Sequence, residues 1–283
     1  MAVTTPSSDS SSMSVRRRPR GPVRWLRSRL IPLVGLLVLL YMFAPIFVVV
    51  LFSFNQPSGR FNYQWVHFST NAWTNLCQVG GMCEALRLSL LIGVVATLCS
   101  VLLGTLVAFA IGRHRFRGRS GANLMVFMPM ATPEVVMGSS LLALFVGMNV
   151  ARGTGTVLVA HIMFCLSFVV VTVKARIASL DPRLEQAAMD LYANERTTFW
   201  KVTFPLVLPG IVGASLLAFS LSFDDFIVTN FNSGSTVTFP MFVWGAAQRG
   251  TPPQVNVVGS LMFVLSLAVV IATQVVRRRR SRV

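Results

Sequence analysis

The sequence predicts an all-α integral membrane protein with six transmembrane helices, and three observations carry that prediction. Of the 283 residues, 54% are hydrophobic and 12% are charged, with a mean hydropathy of +0.67. That charged share is about half of what a soluble domain carries. Six apolar runs, at 30–53, 86–111, 122–149, 156–173, 206–230 and 256–276, each approach or exceed the roughly 20 residues that a helix needs to cross a bilayer. The basic residues are also one-sided. Of 25 Lys and Arg, 21 fall in four segments, 16–29, 113–119, 174–201 and 277–282, which six crossings place on the same face. Only Arg60, Arg87, Arg152 and Arg249 fall on the other. The positive-inside rule makes the first face cytoplasmic, with both termini inside.

The elements follow in order. Residues 1–24 are rich in Ser, Pro and Arg and read as a disordered basic tail. The apolar run after them is longer than a signal-peptide core and is closed by no A-x-A-like site, so it reads as a span, with "RRRPR" as a topology determinant. The external segment 54–85 contains Trp65, His67 and Trp73, suited to interfacial helices at headgroup level. It also contains "CQVGGMC". Cys77 and Cys83 form a disulfide if that compartment is oxidising and stay as two thiols if it is not. Arg87 lies near the outer end of the second run, where its stem can snorkel. Short loops at 112–121 and 150–155 make the spans on either side of each antiparallel neighbours. Pro129 and Pro133 loosen the third run, and Glu134 follows them. Cys99 and Cys165 read as small apolar packing residues, and His161 as a packed, hydrogen-bonded side chain. The segment 231–254, with Trp244, is external. Residues 25–276 thus form one membrane domain, ending in a basic tail at 277–283.

The cytoplasmic segment 177–204 reads as two short helices. Asp181 is the expected N-cap, with Pro182 at the first helical position. Apolar residues recur at helical spacing from Leu184 to Leu191. Asn194 caps a second helix, with Glu195 in its first turn, and Pro205 and Pro209 mark the return into the bilayer. Its acids, Asp181, Glu185, Asp190 and Glu195, disfavour anionic lipid. The pair reads as a docking element for another protein.

Here the sequence resembles the permease subunits of bacterial ABC importers. Their signature is a cytoplasmic E-A-A-x-x-x-G element. The match is Gln186-Ala187-Ala188, three residues, Tyr192, then Val202 and Leu208-Pro209-Gly210. "PEVVMG", "HIMFCLSFVVVTV", and "SFDDFIVTNF" through "GTPPQVNVVGSLMFVLSLAVVIATQ" are similar to the spermidine/putrescine permeases, C-type subunit. The resemblance runs from about residue 30 to 276. Two positions depart: Gln186 stands where the family has glutamate, with Glu185 before it, and Tyr192 stands where the family has glycine. Asn194 is expected to take the left-handed turn instead, since Asn tolerates positive φ.

The resemblance implies a type I importer fold in the inner (plasma) membrane. It implies a second homologous permease, two ATP-binding subunits and an external substrate-binding protein as partners. ATP and Mg would be bound by the partner ATPase, and no cofactor by this chain. Coupling to the ATPase would fall to Glu185, Gln186, Ala187, Ala188, Asp190 and Tyr192. The chain agrees with this division of labour. It has no G-x-x-x-x-G-K-[ST], H-E-x-x-H or G-x-S-x-G and no paired C-x-x-C, so nothing in it reads as an ATPase or another enzyme. Its net charge of +16 flanks spans, a pattern that suits anionic headgroups of membrane lipid rather than nucleic acid.

Three of the nine acids lie within apolar runs: Glu134, Asp224 and Asp225. A carboxylate there costs about 2.5–3.5 kcal/mol on insertion scales, so each needs a reason. In one reading they cap broken helices. In the other, Glu134 and one of the two aspartates line a path for a cation such as a polyamine, with Phe223, Phe226 and Trp244 adding cation–π contacts. Asp224 and Asp225 point about 100° apart on a helix, so the sequence leaves open which one faces the path. Rival readings are the same machine with another solute, and a stand-alone cation-coupled carrier using these acids as a proton relay.

Overall fold

Inside a bilayer every backbone N–H and C=O must be satisfied within the protein, so apolar runs of this length become helices. The computed structural model describes residues 22–280. Of the predicted tail, 1–24, residues 1–21 with Arg16 to Arg20 lie outside the described residues, as do 281–283. Among the described residues there is no strand, only an isolated antiparallel bridge between Asn55 and Phe68.

Helix α1 (Pro22–Phe52) leads through α2 (Asn71–Thr74) and a 3-10 turn to α3 (Met82–Arg113). After α4 (Arg119–Ala131) and α5 (Glu134–Gly147) comes α6 (Thr154–Ala178). The segment 177–204 holds α7 (Arg183–Asp190) and α8 (Glu195–Thr198). It is followed by α9 (Phe204–Asp224), α10 (Ile227–Asn232), α11 (Phe239–Arg249) and α12 (Pro253–Arg280). Among the described residues five helices are long and apolar enough to cross a membrane, and α4 with α5 makes a sixth crossing if the pair counts as one. The end helices α1 and α12 start and finish inside the segments read as tails.

Two expectations about continuity are corrected. The third run is not one helix, because α4 and α5 are bent by 107°. Pro133 has no N–H to give and pushes the residue before it out of the helical region. Thr132 accordingly sits at φ −82°, ψ 131° and Pro133 at φ −56°, ψ 135°. Conversely, no turn occurs at Pro205 or Pro209. From Glu195 to Asp224 the chain is one helix, with a π-helical turn at Phe199–Thr203 just ahead of Pro205. The wider turn accommodates the donor that proline lacks. At the other end this helix stops at Asp224, short of the predicted residue 230.

The core is built by α3, α6 and α9, which pack on one another through small residues. A Cβ on Gly104 would lie 2.7 Å from Cγ1 of Val169, and one on Gly210 would lie 2.6 Å from Cγ of Arg176. Close approach of this kind is how helices associate in lipid. Val169, Val170, Val173, Ala108, Ala214 and Ala218 are all buried there. Arg176 Nε donates to the carbonyl of Leu206 at 2.9 Å, fastening α6 to the start of α9. A second, smaller core joins Met82, Phe239, Val255 and Val258. Helix α1 packs mainly against α12 and leaves most of its apolar surface exposed.

The loop between α1 and α2 is tied by polar contacts. Asn55 Nδ2 donates to Asn62 Oδ1 at 2.6 Å, and Asn62 Nδ2 to the carbonyl of Phe52 at 2.8 Å. Cys77 and Cys83 are joined by a disulfide, with Cα atoms 5.4 Å apart, which decides the alternative left open by the sequence.

Candidate translocation and coupling sites

The two adjacent aspartates part company where α9 ends. Asp225 leaves the helix at φ −66°, ψ 120° and turns its carboxylate inward, leaving the side chain 4% exposed. It accepts from the backbone N–H of Val228 (3.3 Å) and Thr229 (2.8 Å) and from the Thr229 hydroxyl (2.8 Å). These bonds cap the six-residue α10. Asp224, the last residue of α9, stays exposed.

Asp225 also faces a group that sequence reasoning did not pair with it. His161, on α6, places Nε2 3.3 Å from Asp225 Oδ2 and 2.9 Å from Thr229 Oγ1. Its Nδ1 lies 2.7 Å from Ser222 Oγ on α9. All four side chains are buried. The only signal in the sequence was a histidine on an apolar span, which reads as packed and says nothing of its partner.

Glu134 opens α5 directly after the Thr132–Pro133 break and is exposed. Its position in the first turn suits the positive end of the helix dipole. Helix α5 in turn packs on α10: Asn232 Nδ2 donates to the Gly138 carbonyl at 3.2 Å, and a Cβ on Gly138 would meet Phe231. The aromatic candidates separate too. Phe226 and Trp244 pair with ring centroids 5.3 Å apart, and Trp244 is exposed. Phe223 instead stacks between Phe219 (6.0 Å) and Phe239 (6.2 Å) and packs on the second core. Its spacing of four from Phe219 puts both on one helix face.

In the segment 177–204 Glu185 is the anchor. Arg113, at the end of α3, donates from Nη1 and Nη2 to its two carboxylate oxygens at 2.5 Å, and the Thr203 hydroxyl donates at 2.5 Å. Partial burial pushes the Glu185 pKa up. The bonds from Arg113 and Thr203 and the guanidinium charge outweigh that and hold it below the ordinary glutamate value. The contact straps the loop to α3 beside a cleft of about 470 Å³. Gln186 and Asp190 lie on the same short helix, α7, with Ala187 and Ala188 between them. Asp181 accepts from the Arg183 N–H at 3.0 Å, but α7 starts one residue later than predicted, so that Pro182 and not Asp181 is its N-cap. Asn194 accepts from the Thr197 N–H at 2.8 Å.

The turn after α7 corrects one expectation. Ala193 N–H bonds to the Ala188 carbonyl (3.1 Å) and Tyr192 N–H to that of Met189 (3.0 Å), the double bond pattern of a Schellman motif. The left-handed residue is Tyr192, at φ 63°, and not Asn194, which is extended at φ −75°, ψ 165°. Once Asn194 caps α8 it cannot also be left-handed, so the position four residues after Ala188 must take the turn. The same motif closes α5, where the left-handed residue is Asn149 at φ 54°.

At the end of the bundle that carries the disulfide, a cleft of about 1080 Å³ is bordered by Arg60, Glu84, Arg249 and residues of the disulfide-closed ring.

Comparison with known proteins agrees with this architecture. The chain is 37% identical over 242 residues to the spermidine/putrescine transport system permease protein PotC of Haemophilus influenzae, covering 85% of this chain and 93% of that protein. It is 36% identical over 230 residues to the putrescine transport system permease protein PotI of Escherichia coli strain K12, covering 78% and 81%. In fold it is similar to a solved bacterial ABC transporter involved in import of the acidic polysaccharide alginate. That match has a TM-score of 0.67 at 15% identity, over 91% of this chain and 96% of the other. Residues 100–282 match the family described as binding-protein-dependent transport system inner membrane component. The broken spans, the strapped loop at 177–204 and these matches together place the chain in that family, as a multi-pass inner-membrane permease of the type I ABC importers.

Proposed function

We propose that this permease forms, with a second homologous permease, the translocation path for polyamines such as spermidine and putrescine. The observation that carries the reading is its identity with spermidine/putrescine permeases across most of both chains. The geometry supplies a chemical reason. Asp224 sits at the C-terminal end of α9, where unsatisfied carbonyls already concentrate negative charge. A carboxylate there is electrostatically disfavoured until a cation arrives. An ammonium group has three donors and no acceptor, and it would be met by carboxylate and carbonyls together. Glu134 offers a second carboxylate, and the Phe226–Trp244 pair an aromatic face.

In this reading two ATP-binding subunits hold ATP and Mg and carry out hydrolysis, and this chain binds no cofactor. The loop 177–204 docks to one of them, presenting the exposed Leu191 and Tyr192 at its tip. ATP binding shifts the spans from inward- to outward-facing by moving that loop. An external binding protein delivers the amine at the outer cleft. The membrane domain covers 25–276, and both tails, 1–24 and 277–283, are cytoplasmic and meet lipid headgroups.

The test is uptake of labelled spermidine and putrescine by the importer reconstituted with its partner subunits and binding protein. Wild type should show saturable, ATP-dependent uptake. Asp224→Asn should lower it by about tenfold or more, equivalent to roughly 1.4 kcal/mol, with assembly unchanged. A wild-type complex that hydrolyses ATP but moves neither amine refutes the substrate assignment. Normal uptake by Asp224→Asn removes that carboxylate from the path.

A further inference from the structure

We infer that His161 is a positioning residue for translocation: through Asp225 it holds the α9–α10 break in the form that presents Asp224 to the substrate. The inference rests on the proposed role of Asp224 and goes beyond it by naming what aims that carboxylate.

An isolated helix as short as α10 does not hold itself together in water or by its own bonds. It is pinned at both ends by buried polar contacts. At its end, Asn232 bonds to Gly138 of α5, and its carbonyl accepts from the Thr156 hydroxyl of α6 at 2.7 Å. At its start stands the His161 cluster. The Thr229 hydroxyl proton is committed to Asp225 Oδ2 at 2.8 Å. Thr229 Oγ1 therefore accepts from His161 Nε2–H, and Nδ1 accepts from the Ser222 hydroxyl. One imidazole thus bridges the last turn of α9, the chain between the two helices and the first turn of α10.

The carboxylate next to it in the chain, Asp224, has no freedom independent of this junction. Asp225 can face inward only while its charge is met there, because an unmatched carboxylate at this burial is strongly disfavoured. If His161 is lost, the Thr229 hydroxyl loses the donor that fixes its oxygen and no longer holds its proton on Asp225; the peptide between the aspartates rotates, and Asp224 turns away. The same logic governs metal sites, where an outer group orients the one that touches the ligand. The inner end of α6 is fastened to α9 by Arg176, so the two helices carry the junction as one unit.

Three variants test this in the reconstituted importer: His161→Gln, Asp224→Asn and the double. His161→Gln should raise the half-saturating polyamine concentration about tenfold with a smaller change in maximal uptake. A general folding defect would lower the maximal rate and leave the half-saturating concentration alone. The double variant should be no worse than Asp224→Asn, because His161 acts through Asp224. Hydrogen exchange at the Val228 and Thr229 amides, the donors to Asp225, should quicken about tenfold in His161→Gln. If His161→Gln does not assemble, Thr229→Val removes the bridging hydroxyl and takes its place in every arm. Additive losses in the double variant overturn the inference while the path reading stands. Normal uptake by Asp224→Asn overturns both. Unchanged exchange at the two amides overturns the inference alone.

Discussion

Tyr192 occupies a backbone position that disfavours it, and the cost can be measured. A left-handed conformation costs an L-residue about 1–2 kcal/mol through the clash of Cβ with the next carbonyl. Tyr192 is fully exposed and its ring is buried against nothing in this chain, so no packing within the fold offsets that cost. Glycine removes the clash but orders more backbone, at about 0.5–1 kcal/mol. Comparing Tyr192→Ala with Tyr192→Gly cancels the ring, which both lack, and isolates the backbone. The glycine variant should favour the closed turn by a net of about 0.5–1 kcal/mol, or about two- to fivefold in population. The assay is hydrogen exchange of the Tyr192-position and Ala193 amides, which donate to Met189 and Ala188, in the nucleotide-free importer. Equal protection in the two variants, or greater protection in Tyr192→Ala, would refute the claim that the backbone is strained here. Tyr192→Asn should fall between them, since Asn149 holds the same place at the end of α5.

Glu185 titrates below the ordinary glutamate value in the folded loop. Its contribution is therefore complete above the unfolded pKa of about 4.3 and is lost as pH falls through the lower, folded value. Exchange protection in 183–203, corrected for intrinsic rates, should hold down to about that pH and drop below it; in Arg113→Ala it should already be lower at neutral pH, by about 1 kcal/mol or less for a partly exposed pair. An acid-insensitive loop would exclude the clamp. Cys77 and Cys83 should resist an impermeant maleimide on intact cells until reductant is added, and labelling of both without reductant would show that the disulfide does not form in place.

Much of the architecture was legible because its causes are local. A run of apolar residues becomes a spanning helix whatever surrounds it, since the bilayer leaves the backbone no other partner. Asp181 and Asn194 mark the helix starts by side chains bonding two or three residues ahead. The E-A-A-type stretch and the spans around it were sufficient to indicate the family. The 107° bend was half legible: Pro133 announced a weakness, but proline specifies a break and not an angle. The turn residue was misassigned because propensity favoured Asn194, while the bonds that close α7 count residues from its end and arrive at Tyr192.

The two aspartates mark the limit. Asp224 and Asp225 are identical in chemistry and adjacent in the chain, and no local rule distinguishes them. The tertiary structure does so by bringing α6 against the end of α9. That contact sets His161 beside Thr229, 68 positions later, and makes an inward place for one carboxylate only. Amino-acid types determined that acids would interrupt these helices. Which acid is buried as a cap and which is left facing outward was decided by a neighbour that only packing supplies.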